Sequence, residues 1–134
     1  GDVRLNDFLP TFARNKPVTV GLAAALIGNV INAVGAAKGF FLPSTNLFLI
    51  RFFELFTVAT LATILVPLVA EALEKRLSKL WLSLITAAVF TLVEIVPDML
   101  RNLPSQELFF KTLGYFGMIF IPLLIYDALN RSYE

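Results

Sequence analysis

Long apolar stretches without charged side chains alternate with short polar segments along the whole chain. The clearest stretch runs from Pro17 to Ala37 and contains no charged residue. About 20 predominantly apolar residues are enough for an α-helix to cross the hydrocarbon core of a bilayer. The pattern therefore predicts four spanning helices, over approximately residues 17–37, 47–73, 79–100 and 106–129.

The ends of these segments carry residues that start or stop helices. Pro17 is typical of a helix start, and the pair Lys38-Gly39 is typical of a helix end. The segment EALEKRLSKL, residues 71–80, has no Gly or Pro but concentrates charge between two apolar halves. This contrast predicts a turn near residues 75–78, with Ser78 as the N-cap of the third helix.

The N-terminal residues 1–16 form a different kind of segment. Their apolar residues recur at the spacing i, i+3, i+4 and i+7, which predicts an interfacial arm lying in the headgroup layer. Pro10 limits any helix there to short pieces, and a disordered tail is the alternative. We interpret residues 1–134 as a single all-α membrane domain, a bundle of four transmembrane helices preceded by this short interfacial segment.

The composition excludes several classes of function. Hydrophobic residues make up 57% of the chain and charged residues 16%, and the mean hydropathy is +0.78. The formal charge of +1 leaves no basic surface for nucleic acid. Because Cys and His are absent, thiol nucleophiles and the usual zinc and haem ligands are absent too. We expect no enzymatic activity, no metal site and no resident cofactor.

The distribution of Lys and Arg predicts an orientation. Four of these residues lie near the first and third connections between the predicted spans: Lys38, Arg51, Arg101 and Lys111. Seven lie near the termini and the second connection: Arg4, Arg14, Lys16, Lys75, Arg76, Lys79 and Arg131. Since basic residues accumulate on the side that is not translocated, both termini are expected on the cytoplasmic side, or the stromal or matrix side of an organelle.

The first span carries small and amide side chains along one stripe. Gly21, Gly28 and Gly35 are seven residues apart, and Asn32 falls on the same stripe. In lipid, small residues and interhelical amide hydrogen bonds provide close helix packing, so we predict a helix-packing face. The alternatives are that Asn29 and Asn32 bind an ion, a pigment or a lipid headgroup, or that the stripe is a homodimer face.

The second span has Thr57, Thr60 and Thr63 at intervals of three residues. Threonine hydroxyls can bond back to carbonyls of their own helix, so we interpret this series as a second packing face, and a hydroxyl-lined pathway is the alternative. Phenylalanines concentrate near the start of the same span. Phe rings do not anchor at headgroups as Trp and Tyr do, which favours packing against lipid, a partner subunit or a bound apolar molecule.

Ionisable residues inside the predicted spans are candidates for a polar network. Glu94, Asp98 and Arg101 project from one face of the third helix. Because the segment ends a few residues later, we interpret them as an interfacial helix end near the headgroup boundary, where Arg101 neutralises the acids locally. Antiparallel neighbours place Arg51 and Glu54 toward the same membrane surface, with Lys111 as a further member. The near balance of charge favours a structural latch; contacts to a partner subunit and an ion or proton site are the alternatives. Asp127 is expected to cap or solvate the end of the last helix.

Together these patterns predict a non-catalytic accessory or assembly subunit of a larger membrane complex, with electron-transfer and photosynthetic complexes as candidates. The glycine-rich, threonine-rich and phenylalanine-rich faces exceed what one small bundle can bury, so we expect other membrane subunits as partners. A hetero-oligomer is favoured over a homo-oligomer, and the bilayer, a bound lipid or a pigment would complete the surroundings. The alternative is a small oligomeric ion or proton channel or transporter that uses Glu54, Glu94, Asp98 or the two asparagines.

Overall fold

The computed structural model describes residues 15–39 and 48–132, and the regular secondary structure in these ranges is helical throughout. Each of its four helices is long and apolar enough to span a membrane. The expected all-helical fold with four such helices is therefore confirmed. The predicted and observed helix ends differ most for the last helix, which was expected to end at residue 129 and continues to Ser132. The helices are α1 (Lys16–Ala37), α2 (Phe48–Ala72), α3 (Lys79–Leu100) and α4 (Ser105–Ser132).

The predicted interfacial arm lies outside the described residues, apart from its last two positions. Residue 15 in fact caps α1, because the side chain of Asn15 accepts a hydrogen bond of 3.3 Å from the backbone N–H of Val18. Ser78 caps α3 as predicted, and its Oγ accepts from the N–H of Trp81 at 3.3 Å. Both caps satisfy backbone donors that a helix start leaves without intrahelical partners.

The turn between α2 and α3 covers residues 73–78 and has the hydrogen bonds of a Schellman motif. The N–H of Lys75 donates to the carbonyl of Ala70 at 2.9 Å, and the N–H of Glu74 donates to that of Glu71 at 3.0 Å. Glu74 has a φ of 57°, in the left-handed region that a glycine usually occupies in this motif. The predicted turn is therefore present, with a non-glycine residue at its strained position.

The four helices form an antiparallel ring in which α1 packs against α2 and α4, and α4 also packs against α3. The junction between α2 and α3 is the least closely packed of the four. One end of the bundle holds the 73–78 turn, the start of α1 and the end of α4, and we call it the turn end. The opposite end holds the start of α2, the end of α3 and the start of α4, and we call it the cluster end.

Small residues allow α1 to approach its neighbours closely. Gly21 and Gly28 are buried beside core alanines such as Ala24 and Ala59. A methyl group built on Gly21 would overlap Thr60 Oγ1 and lie 3.0 Å from the carbonyl oxygen of Phe56. α2 therefore packs against the backbone of α1 at this point, at a separation that a side chain would prevent.

The buried face of α3 is its polar face. Five polar residues are buried there, and the outward face carries exposed apolar residues such as Leu92 and Val93. A surface helix of a soluble protein has the opposite arrangement. The buried hydroxyls of Thr86 and Thr91 donate to the carbonyls of Leu82 and Ala87. The other buried polar residues of this face are Ser83, Glu94 and Asp98.

Candidate functional site

Arg51 in the first turn of α2 reaches side chains on three helices. Its Nη1 lies 3.0 Å from Glu54 Oε1 on the same helix and 3.6 Å from Glu94 Oε2 on α3. Its Nη2 donates a hydrogen bond of 2.7 Å to the hydroxyl of Tyr115 on α4, whose ring centroid is 5.6 Å from the guanidinium carbon. A single cation therefore ties α2 to α3 and α4.

Tyr115 and Lys111 extend these contacts to a second carboxylate of α3. The Tyr115 hydroxyl donates to Asp98 Oδ2 at 3.2 Å, and Lys111 Nζ lies 3.5 Å from Asp98 Oδ1. Lys111 and Tyr115 are four residues apart and hence lie on one face of α4. The ring of Tyr115 also packs edge-on against Phe90, at 6.4 Å between centroids. The site thus adjoins the apolar core directly.

We call this site the charge cluster. Its two carboxylates on α3, Glu94 and Asp98, are each 5% exposed, and the side chain of Glu54 is 48% exposed. Three carboxylates face two cations, so the cluster has a formal excess of one negative charge. Glu94 Oε1 is buried and has no hydrogen-bond partner among the described residues. The members of the cluster are Arg51, Glu54, Glu94, Asp98, Lys111 and Tyr115.

The structure brings four of the five sequence-predicted network residues together and leaves out Arg101. The backbone N–H of Arg101 caps α3 by donating to the carbonyls of Pro97 and Asp98, both at 3.2 Å, and the residue is exposed. Within the described ranges, the basic side chain within 4 Å of Asp98 is Lys111. The role expected of Arg101 is therefore taken by a residue of the next helix. Tyr115 was not expected from the sequence, although its spacing from Lys111 indicates a shared face.

The residues of the predicted packing faces occupy different environments. Gly21, Gly28 and Gly35 are buried, whereas Asn32 is partly exposed. Asn29 Nδ2 donates to the carbonyl of Ala25 at 2.8 Å, so its own helix satisfies that amide. The glycine stripe thus lies on the inner side of α1.

The three threonines of α2 also differ in how far they are exposed. Thr57 is exposed, and Thr63 is buried and donates to the carbonyl of Ala59 at 2.8 Å. Thr60 Oγ1 is buried over Gly21 and has no hydrogen-bond partner in the described part of the chain. A Cα–H group of glycine is a weak donor, and such contacts recur where helices approach closely. The three threonines therefore do not form one continuous face.

A second ion pair lies at the turn end of the bundle. Lys16 Nζ is 2.7 Å from Asp127 Oδ1, and Asp127 is 7% exposed. The expectation that Asp127 caps or solvates the end of α4 is wrong, because α4 continues past it and α1 supplies a cation. This pair joins the first and last helices of the ring.

The polar side chains described in residues 15–39 and 48–132 contact each other through ion pairs and hydrogen bonds. These residues include no group of three or more acidic, His or Cys side chains placed to hold a metal ion. Comparisons of the chain with protein-family models, with curated proteins and with solved structures find no significant match.

Proposed function

We propose that this chain is an integral membrane protein whose four helices cross the bilayer and which serves as a non-catalytic subunit of a larger membrane assembly. The observation that carries the membrane location is the polarity of α3, whose carboxylate and hydroxyl residues face inward. Polar residues of spanning helices face the bundle interior, since lipid cannot hydrogen-bond to them. An orientation of this kind would be costly in water.

The outer surface of the bundle supports the same location. Large apolar side chains are exposed on all four helices, among them Val30, Leu68, Leu92 and Ile125. Soluble monomers seldom expose continuous apolar patches of more than a few hundred Å². In a bilayer this surface would contact acyl chains and the helices of other subunits.

The charge cluster supports a structural role over a catalytic one. Its cations and carboxylates contact each other across α2, α3 and α4, so most of their interactions are internal to the bundle. Opposite charges that are mutually paired inside a membrane stabilise a helix arrangement, whereas selective pores use rings of one sign. The outer helix faces are then the part of the protein that remains for recognition of other subunits.

Extraction and co-purification test this proposal. We expect the full chain to remain in the membrane pellet after alkaline carbonate and, in mild detergent, to co-migrate with other membrane proteins at fixed stoichiometry. A chain that is folded and monodisperse in buffer without detergent would refute the membrane location. A chain that purifies alone, as a monomer or homo-oligomer, would refute the role as a subunit of a larger assembly.

One observation favours a second candidate function, transport of protons or small cations. Glu94 Oε1 is buried without a partner in the described part of the chain, and the cluster has one carboxylate more than it has cations. In liposomes, ion flux that is abolished by Glu94→Gln but retained by Glu107→Gln would support this candidate. Glu107 is a suitable control because it is a partly exposed acid of the same membrane end, in the first turn of α4. Absence of flux from the unsubstituted protein would leave the subunit role as the better account.

The proposed orientation places both termini and the turn end on the cytoplasmic side. The chain has no cysteine, so single cysteines can be introduced without background labelling. Arg76→Cys and Asn102→Cys lie in the turns at opposite ends of the bundle and are both exposed. An impermeant thiol reagent added to intact cells should label the second variant and not the first; the reverse pattern would refute the orientation.

A further inference from the structure

Carboxyl groups from α2 and α3 converge on one nitrogen atom of Arg51. Nη1 lies 3.0 Å from Glu54 Oε1 and 3.6 Å from Glu94 Oε2. Glu54 and Glu94 are also close enough to hydrogen-bond to each other. Two ionised carboxylates cannot do so, because both are acceptors only. A hydrogen bond between these two side chains therefore needs one proton.

The cations of the charge cluster do not balance its three carboxylates. Lys111 Nζ lies 3.5 Å from Asp98 Oδ1, and Asp98 also accepts from the hydroxyl of Tyr115. Glu54 and Glu94 share the single charge of Arg51. The negative charge in excess therefore lies on this pair of glutamates.

The other elements near the cluster bring no further cation to the pair. α1 has no charged residue between Pro17 and Ala37, and residues 40–47 include none either. Arg101 is exposed at the end of α3. The charged and titratable groups around Glu94 are Arg51 and Glu54 of α2, Asp98 of α3, and Lys111 and Tyr115 of α4.

Burial distinguishes the two members of the pair. Glu94 is buried, and its Oε1 has no hydrogen-bond partner in the described part of the chain. A buried carboxylate that is neither paired nor hydrogen-bonded is far more costly than the neutral acid. About half of the Glu54 side chain is exposed. Glu54 thus gives the buried carboxyl group a route to the surface at the cluster end.

A proton fits this position better than a divalent metal ion. A calcium or magnesium ion needs about six oxygen ligands. Residues 15–39 and 48–132 hold no group of three or more acidic, His or Cys side chains placed for a metal. The guanidinium of Arg51 lies within 4 Å of both glutamates and would repel a second cation.

We infer that Glu54 and Glu94 form a proton-binding site, in which the two carboxyl groups share one proton and Arg51 neutralises the remaining charge. This inference rests on the proposed membrane location and adds a bound ligand that a purely structural cluster does not require. With the proton bound, the charge cluster is electrically neutral. Carboxyl groups that share a site in this way retain a proton that an isolated acid would lose.

Labelling with dicyclohexylcarbodiimide tests the inference, because this apolar reagent reacts with protonated carboxyl groups. The acid proton moves to a nitrogen of the reagent and the carboxylate oxygen bonds to its central carbon. The acyl group then migrates to nitrogen, which gives a stable adduct without a leaving group. With the full chain in membranes at neutral pH, we expect one adduct per chain, located at Glu94 or Glu54 by peptide mass spectrometry.

Glutamine variants distinguish a shared proton from a proton on Glu94 alone. In Glu54→Gln, Arg51 would balance Glu94 without a proton, so labelling should fall about tenfold although Glu94 is still present. Glu94→Gln should reduce labelling at least as much. Glu107→Gln is the matched control, a partly exposed acid of the same end, and should leave labelling unchanged. Labelling that survives Glu54→Gln would overturn the shared proton.

Infrared spectroscopy provides a second measurement that needs neither reagent access nor a folded variant. The unsubstituted chain at neutral pH should show the carbonyl stretch of a protonated carboxyl group, and exchange into D₂O should shift this band. Absence of the band would overturn the inference. Where the glutamine variants of Glu54 and Glu94 fold, both should lose the band.

A metal ion at the same place would give a different result. If sodium or potassium chloride suppresses carbodiimide labelling more than choline chloride of equal ionic strength, the site binds a metal cation and the proton assignment is wrong. Failure of the inference is distinguishable from failure of the membrane proposal, because alkaline carbonate extraction tests the location without reference to labelling.

Discussion

The two ends of the junction between α2 and α3 differ in how they are held together. At the cluster end, Arg51 of α2 lies 3.6 Å from Glu94 of α3 and also contacts Tyr115 of α4. At the turn end, the same two helices are separated by an apolar groove, although the connection between them is short and consists of residues 73–78. A short connection therefore does not ensure close packing. Close packing depends on the side chains that meet at the contact.

The physical reason lies in what each end gains by closing. In the proposed membrane location, buried charges separated from their partners would be costly, so contact at the cluster end is favoured. The Leu, Val and Ile side chains of the turn end are as stable against lipid tails as against each other. Closure of the groove would gain little, and the helices remain apart there.

Removal of Arg51 should produce the largest effect, because it breaks the contact that closes the cluster end. Arg51→Met would leave Glu94 buried without its cation, and we expect a loss of about 3 kcal/mol in the free energy of unfolding in mixed micelles. The control is Arg101→Met, an exposed residue of the same end, for which we expect a change within about 0.5 kcal/mol. Equal effects of the two substitutions would show that the cluster contributes no specific stability.

The seam between α1 and α2 gives the next largest effect, and it contrasts with the open groove on the other side of α2. Gly21→Ala would force a methyl group against Thr60 and the backbone of Phe56, and we expect a loss of about 2 kcal/mol. Gly117→Ala is the control, since its methyl group would meet only Ile121 Cδ1 at 3.9 Å. That change should stabilise α4 by about 0.5–1 kcal/mol. If Gly21→Ala also raises the midpoint of thermal unfolding, α1 and α2 do not approach each other as closely at Gly21 as the structure shows.

Tyr115→Phe should have a smaller effect at the cluster end. It keeps the ring against Phe90 and removes the hydroxyl that links Arg51 to Asp98, and we expect a loss of about 1–1.5 kcal/mol. A double-mutant cycle with Asp98→Asn measures the coupling between the two residues. Strict additivity would mean that the hydroxyl and the carboxylate do not act together.

The smallest effect concerns the turn end and should be favourable. Glu74 occupies the left-handed region with a φ of 57°, so Glu74→Gly should raise the free energy of unfolding by about 0.5–1 kcal/mol. Asn102 has a φ of 55° in the turn after α3, and asparagine tolerates this region better. Asn102→Gly should therefore give a smaller gain in the same unfolding measurement; an equal or larger gain would contradict the assignment of strain to Glu74.

The helices and their ends could be predicted from the sequence because their causes are local. Long, predominantly apolar stretches predict the four helices, and Ser78 is predicted as a cap because its hydroxyl accepts from a backbone N–H three residues away. The same local reasoning placed Glu94 and Asp98 on one face of α3. Those parts of the candidate site depend on spacing along one helix.

The contacts between helices were predicted less well, because spacing does not determine how one helix is rotated against the next. The spacing of three residues along α3 predicts Arg101 beside Asp98. The cation that lies 3.5 Å from Asp98 Oδ1 is instead Lys111 of α4. The pair of Lys16 and Asp127, separated by 111 positions, had no local signal at all. The groove was missed for a related reason, since an absence of packing leaves no pattern in the sequence.

For the proposed membrane location, the inward polarity of α3 has a consequence for insertion into the bilayer. A solitary α3 would expose Glu94 and Asp98 near its C-terminal end. An acidic residue costs about 2.5–3.5 kcal/mol at the centre of an inserting helix and less toward its ends. Lys111 and Tyr115 of the following helix neutralise and hydrogen-bond Asp98 directly. We therefore expect α3 to be retained poorly by the insertion machinery until α4 has been synthesised, so that biogenesis proceeds by a hairpin and not by single helices.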